Sequence, residues 1–252
     1  MTTEQYVSKI AQVTLAFWLM KILATTLGET AGDFLSMTLG LGYETSLAIT
    51  FAFLVAVLAF QIGLPRYHPL LFWTAIIATT TAGTEISDFM DRSLGLGYVS
   101  GSLILFACLL IALGLWWLKT GDLNVDPLVR KDAEVFFWVA VLFSNSLGTA
   151  FGDFLVDDAG LSFIQGAFVT AAVIAVVAGL HYARVVNSTL LFWIAFIFTR
   201  PFGATFGDFL TKPLADGGLN LPREYASLAT LALLLAILFF TERRASTRRG
   251  TA

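Results

Sequence analysis

The sequence predicts an all-α polytopic membrane protein, and three observations predict it. Of its 252 residues 57% are hydrophobic and only 13% carry charge, with a mean hydropathy of +0.80. That balance belongs to chains embedded in lipid rather than to soluble domains of this length. Apolar stretches of roughly 20 residues, the length that crosses a hydrocarbon core, alternate with short turns. One pattern also recurs four times along the chain without a gap.

The repeat is anchored on tryptophan. Trp18, Trp73, Trp138 and Trp193 each follow a phenylalanine. Ten residues after each stands Gly28, Gly83, Gly148 or Gly203, and fifteen after each an Asp-Phe pair opens at Asp33, Asp88, Asp153 or Asp208. Trp18 to Trp138 and Trp73 to Trp193 are both 120 residues. The even spacing predicts two halves of two repeats each: a first half over 1–119, a connector over 120–134, and a second half over 135–252.

Each repeat reads as two spans. The first carries the motif, at roughly 10–35, 69–90, 133–155 and 187–210. The second is more apolar, at roughly 44–64, 98–118, 162–182 and 223–241. The N-terminal stretch, with acidic Glu4 and no small-residue cleavage pattern, reads as the start of the first helix rather than a signal peptide. The segments "LGLGYE", "LGLGYV", "AGLSF" and "DGGLNL" read as turns, too short to hold a pore helix and a potassium-type filter. The connector is polar, with glycine and proline.

Orientation follows from lysine and arginine. Ten of the fifteen fall on one side, and only Arg92, Lys212 and Arg223 on the other. Lys21 and Arg200 remain within spans. Both termini are therefore expected in the cytoplasm. Every repeat starts inside, so the four are expected to be parallel, related by an axis along the membrane normal.

Helical spacing puts Thr25, Glu29 and Asp33 on one face of the first motif span. The same face carries Thr80, Thr84 and Asp88 in the second, Asn145, Thr149 and Asp153 in the third, and Arg200, Ala204 and Asp208 in the fourth. Beside this polar stripe runs a stripe of small residues, Gly28 and Gly32 in the first repeat and their counterparts in the others. Small residues permit close helix approach without a hydrophobic driving force, and polar groups do not face lipid cheaply. The two stripes together predict motif helices inside and second helices outside, with the carboxylates around an axis toward the outer leaflet. The tryptophans, with Trp116 and Trp117, lie near the inner ends of the spans, where an aromatic belt is expected, and are expected to anchor or pack rather than stack on a ligand.

Several chemistries find no support. One cysteine, Cys108, excludes an internal disulfide. His68 and His181 do not occupy equivalent repeat positions, and no covalent cofactor or nucleic-acid partner is expected. No nucleophile elbow, Ser-His pair or Gly-x-Gly-Asp signature points to an enzyme. What remains is an oxygen-rich stripe. Asp33, Asp88, Asp153 and Asp208, with Glu29, Glu85, Thr25, Thr80, Asn145 and Thr149, are the expected ion-binding groups, and Lys21 and Arg200 the expected counter-ions. Carboxylates and hydroxyls suit hard divalent cations, and desolvated acids also suit protons. The expected function is therefore a cation transporter or channel, divalent or proton-coupled. A non-transporting membrane scaffold is the alternative, and an intramembrane enzyme a weaker one. A homo-oligomer is compatible with the sequence.

The "FW…G…DF" repeat resembles bacterial membrane proteins built of four tandem copies of a repeat of unknown function, each with two spans and a tryptophan. The resemblance covers nearly the whole chain, with Ser87 standing where the other repeats have glycine. It implies eight spans and a bacterial inner membrane, and it supplies no activity. "ETAGD" is also loosely similar to the acid-Gly-Asp helices of a manganese and calcium exporter family. Glu29 lies one residue further off here and Phe34 replaces the base. That likeness ranks Mn²⁺ and Ca²⁺ among the cargo classes.

Overall fold

The computed structural model describes residues 8–125 and 127–250, with side chains through Arg244. Glu4 and the side chains of Arg248 and Arg249 lie outside the described residues.

Eight long helices follow in order: α1 Leu15–Asp33, α2 Gly42–Gly63, α3 Pro69–Asp88, α4 Gly97–Thr120, α5 Lys131–Asp153, α6 Phe163–Ala183, α7 Ser188–Thr211 and α8 Arg223–Gly250. No strand occurs among the described residues. Local chemistry sets the starts. The Thr14 hydroxyl accepts from the Phe17 amide at 3.3 Å, and Pro69 supplies the pre-set first turn of α3. Ser162 and Gln165 cap α6 reciprocally. Asn187 accepts from Thr189 and Leu190 at the start of α7. α5 already begins at Lys131, so the end of the polar connector is helical.

The odd-numbered helices carry the motif and form a closed ring: α1 packs on α3, α3 on α5, α5 on α7, and α7 back on α1. Glycine makes each of these approaches possible. A Cβ at Gly28 would collide with Thr80, one at Gly148 with the Arg200 stem and Pro201, and one at Gly203 with Thr25. Gly83 lies less tightly, with Asn145 and Ser146 3.0 Å from an added Cβ. The glycine ten residues past each tryptophan thus seats the residue seven past the tryptophan of the next repeat, around the whole ring. The two stripes are complementary halves of one contact.

The even-numbered helices cover the ring with an offset of one. α2 lies on α3, α4 on α5, α6 on α7, and α8 returns to α1. Their outer faces are apolar and open, as at Phe60 (70% exposed), Phe168 (69%) and Leu228 (62%). Six helices are long and apolar enough to cross a membrane: α2, α4, α5 with its extension, α6, α7 and α8. With those outward apolar faces, the chain is an integral membrane protein. α1 and α3 fall outside that set because their composition is diluted by Lys21, Glu29 and Asp33 and by Thr79, Thr80, Thr81, Thr84, Glu85 and Asp88, all of them buried.

The C-terminal ends of the motif helices share one design. Motif helices α1, α3 and α5 each widen into a π-type turn, at Phe34–Thr38, Phe89–Ser93 and Phe154–Asp158. The Leu39, Leu94 and Ala159 amides close it on Phe34, Phe89 and Phe154 at 2.9 Å. In the fourth repeat five extra residues intervene, and Leu219 makes the equivalent bond to Phe209 at 2.7 Å. The next residue is left-handed every time: Gly40, Gly95, Gly160, and Asn220 at φ 53°.

Candidate functional site

The ring interior is layered, starting with an aromatic plug at the inner end. Phe17 meets Trp73 at 5.6 Å, Phe72 meets Trp138 at 5.6 Å, Phe137 meets Trp193 at 6.2 Å and Phe192 meets Trp18 at 5.7 Å between ring centres. Each phenylalanine touches the tryptophan of the following repeat. Of the two expected roles, anchoring and packing, the structure shows packing for most of the tryptophans. Trp73, Trp138, Trp193 and Trp116 are buried, Trp18 is half-buried, and of the six only Trp117 faces well outward. The inner end of the ring needs bulk to reach interior packing density, and the indoles supply it.

Above the plug sits Lys21, fully buried on α1. Its ammonium donates to Asn145 Oδ1 at 3.0 Å and lies 4.2 Å from the centre of the Phe196 ring. Asn145 in turn donates through Nδ2 to Thr79 Oγ1 at 3.1 Å, which fixes its oxygen toward the lysine. Lys21 is therefore met by an amide oxygen and a ring face, and by no carboxylate among the described residues.

The next layer centres on Arg200, also fully buried. Its guanidinium donates to Glu29 Oε2 at 2.8 Å, to Thr84 Oγ1 at 2.5 Å and to the Thr25 carbonyl at 3.5 Å. Of the two expected counter-ions, only Arg200 meets an acid.

The four aspartates form two bridged pairs rather than one converging set. Lys212 Nζ sits 3.0 Å from both Asp33 Oδ2 and Asp208 Oδ1, and Arg223 Nε adds 3.3 Å to Asp33. Arg92 lies 3.3 Å from Asp88 and from Asp153. Both bridging bases stand nineteen residues past a tryptophan, in the second and fourth repeats. Burial alone would lower the Lys212 ammonium, but Asp208 and Asp33 outweigh it and hold it above the ordinary lysine range.

Glu29, Asp33 and Asp208 each place one oxygen within 4.8 Å of the others, so these three are the group that could hold a cation. In this state Arg200, Lys212 and Arg223 balance them charge for charge. The hydroxyls contribute differently. Thr25 donates to the Ile22 and Thr199 carbonyls, Thr80 to Ile77 and Ala24, and Thr149 to Asn145. Their protons are spent on backbone between turns and between helices. Glu85 is set apart: it is fully buried, and neither carboxylate oxygen has a hydrogen-bond partner.

Sequence reasoning missed Arg92, Lys212 and Arg223 as site residues, having counted them only for topology. The signal was available: a base four residues after the aspartate in alternate repeats, where a helix brings them together.

The repeat of unknown function DUF347 matches the chain four times, over residues 16–67, 71–122, 136–186 and 191–246. No curated protein matches, and no solved structure matches. With the matched segments covering most of its length, the chain belongs to the DUF347 family, as an integral membrane protein carrying four tandem copies of that repeat.

Proposed function

We propose that this protein is a transporter of small cations, in which Lys212, Arg223 and Arg92 act as tethered cations standing in for cargo at the carboxylates. One observation carries the reading. Glu29, Asp33 and Asp208 form a buried all-oxygen cluster whose counter-charges include Lys212, a flexible side chain at the outer rim with 17% of its surface open. Intramembrane acids are costly and are functional candidates by default. A lysine that swings out leaves a site suited to a hard divalent cation such as Mn²⁺ or to protons.

The architecture that supports this is eight spans arranged as four parallel two-helix repeats around an axis along the membrane normal. α1 and α3 count as spans because their polar faces turn inward, away from lipid. The excess of lysine and arginine on one side sets both termini in the cytoplasm of a bacterial inner membrane. Arg200 and Lys21 lie deeper on the same axis, and the aromatic plug closes its inner end in this state.

The test is whole-cell elemental analysis under graded metal stress. Cells with no copy, with the wild-type chain, and with Asp33, Asp88, Asp153 and Asp208 all changed to Asn are compared at equal expression. Expected is a change in one metal, or in acid tolerance, that vanishes in the variant. Identical content and tolerance in all three rejects transport of these ions. It would favour a second reading, a non-transporting scaffold, which draws on the same geometry: each of the four aspartates already has a cationic partner, as a purely structural clamp requires.

A further inference from the structure

The ion pairs are not spread evenly around the ring. Among the described residues, every pair that reaches beyond its own repeat joins the first half of the chain to the second. These are Lys9–Glu134, Arg92–Asp153, Arg200–Glu29, Lys212–Asp33 and Arg223–Asp33. Close glycine approaches occur at all four seams of the ring, so close packing does not distinguish them. The two seams within halves carry no ion pair among the described residues. At α1–α3, Thr80 and Thr84 donate to the Ala24 and Gly28 carbonyls at 3.1 and 3.3 Å. At α5–α7, Gly148 and Gly152 lie against Pro201 and Ala204.

The difference has a mechanical meaning. A seam without ion pairs loses its close packing and any hydroxyl-to-carbonyl bonds when it opens and gains little. The α7–α1 seam has one such bond, from Thr25 to the Thr199 carbonyl, beside its charges. A seam held by charges can exchange one partner for water or another ion, because a buried ion pair is close to break-even against its desolvation cost. We infer that the ring opens at the α3–α5 and α7–α1 seams as two rigid bodies, α1–α3 with the α8 that covers α1 and α5–α7 with the α4 that covers α5, with Arg92 and Lys212 as twin latches at the outer end. The two latches are related by the halves' own symmetry: each bridges its own aspartate to that of the following repeat, across the half boundary. The purpose of such opening rests on the transport reading; the opening itself does not.

The four outer turns give a symmetric set of reporters, because Leu39, Leu94, Ala159 and Leu219 are equivalent and all exposed. The full chain, with Cys108→Ala, is labelled in pairs with spin probes and reconstituted in lipid vesicles. Leu39/Leu94 and Ala159/Leu219 report within halves; Leu94/Ala159 and Leu219/Leu39 report across them. In Arg92→Gln/Lys212→Gln the two cross-half distance distributions should lengthen or broaden while the other two stay fixed. Lys212→Gln alone, the milder change, should move Leu219/Leu39 and leave Leu94/Ala159 in place. Equal change in all four pairs, change within halves only, or no change in any would overturn the inference. Ion flux is measured on the same vesicles. Seam opening without flux sinks the transport reading and keeps this one, and flux without seam opening does the reverse.

Discussion

Arg200 on α7 reaches Glu29 on α1 across 2.8 Å, and both side chains are buried. The pair closes the ring between the last motif helix and the first. Removing either partner strands the other charge in the interior. Arg200→Gln or Glu29→Gln alone should cost about 3–5 kcal/mol, read as a lower melting temperature of the purified protein. The apolar pair Arg200→Met/Glu29→Leu should recover most of that loss. A double variant as unstable as the two single losses added together would show that the pair is not the coupled unit drawn from the geometry.

The glycine contacts make a second, graded prediction. Gly28→Ala and Gly203→Ala drive a methyl into Thr80 and Thr25 and should destabilise by about 1–3 kcal/mol through overpacking. Gly114 in α4 is exposed and has nothing within 4 Å of an added Cβ. There alanine should stabilise, by up to about 1 kcal/mol, through helix propensity. Thermal melts of the three variants in one detergent decide it, and equal losses at all three sites would contradict the ring packing.

Asn220 takes the left-handed conformation that Gly40, Gly95 and Gly160 take in the other repeats. Asn220→Gly should therefore be neutral or slightly stabilising. Gly95→Ala, at φ 68° with open space around it, should lose about 1–2 kcal/mol from backbone strain alone. A tolerated Gly95→Ala beside a damaging Asn220→Gly would reverse the assignment of these turns.

Glu85 and Asp153 should respond in opposite ways to loss of charge. Glu85 has no hydrogen-bond partner for either oxygen among the described residues, so Glu85→Gln keeps the shape and removes a buried charge that no base balances. It should melt at or above the wild-type temperature. Asp153→Asn weakens a partner of Arg92 and should cost about 1–3 kcal/mol. A large loss in Glu85→Gln would mean that this carboxyl makes a contact that its surroundings do not offer.

The repeat, the helices and the two stripes were legible in the sequence because each is a fixed offset from a tryptophan. The offset also contained the pairing of Asp88 with Arg92 and of Asp208 with Lys212, four residues on. Their second partners, Asp153 and Asp33, were not legible, because they depend on which helix follows which around the ring. The same blindness hid the covering of each motif helix by the preceding repeat, which α2 achieves on α3 rather than on α1. The tryptophans illustrate a different limit. Their depth along the span was readable, but not whether they turn to lipid or inward, since both environments accept an indole. Nor did composition foretell the π-type turns, whose only local signal is the Asp-Phe pair before them.

The offset covering imposes a schedule on biosynthesis. α1 is the first of the eight helices to be made, and it carries Lys21, Glu29 and Asp33 in a segment that, like α3, lies outside the six helices apolar enough to cross a membrane. Its neighbours include α7 and α8, which leave the ribosome last. Until they arrive, Glu29 lacks Arg200 and Asp33 lacks both Lys212 and Arg223. The earliest of the eight helices therefore completes its ion pairs only once almost all of the chain has been made.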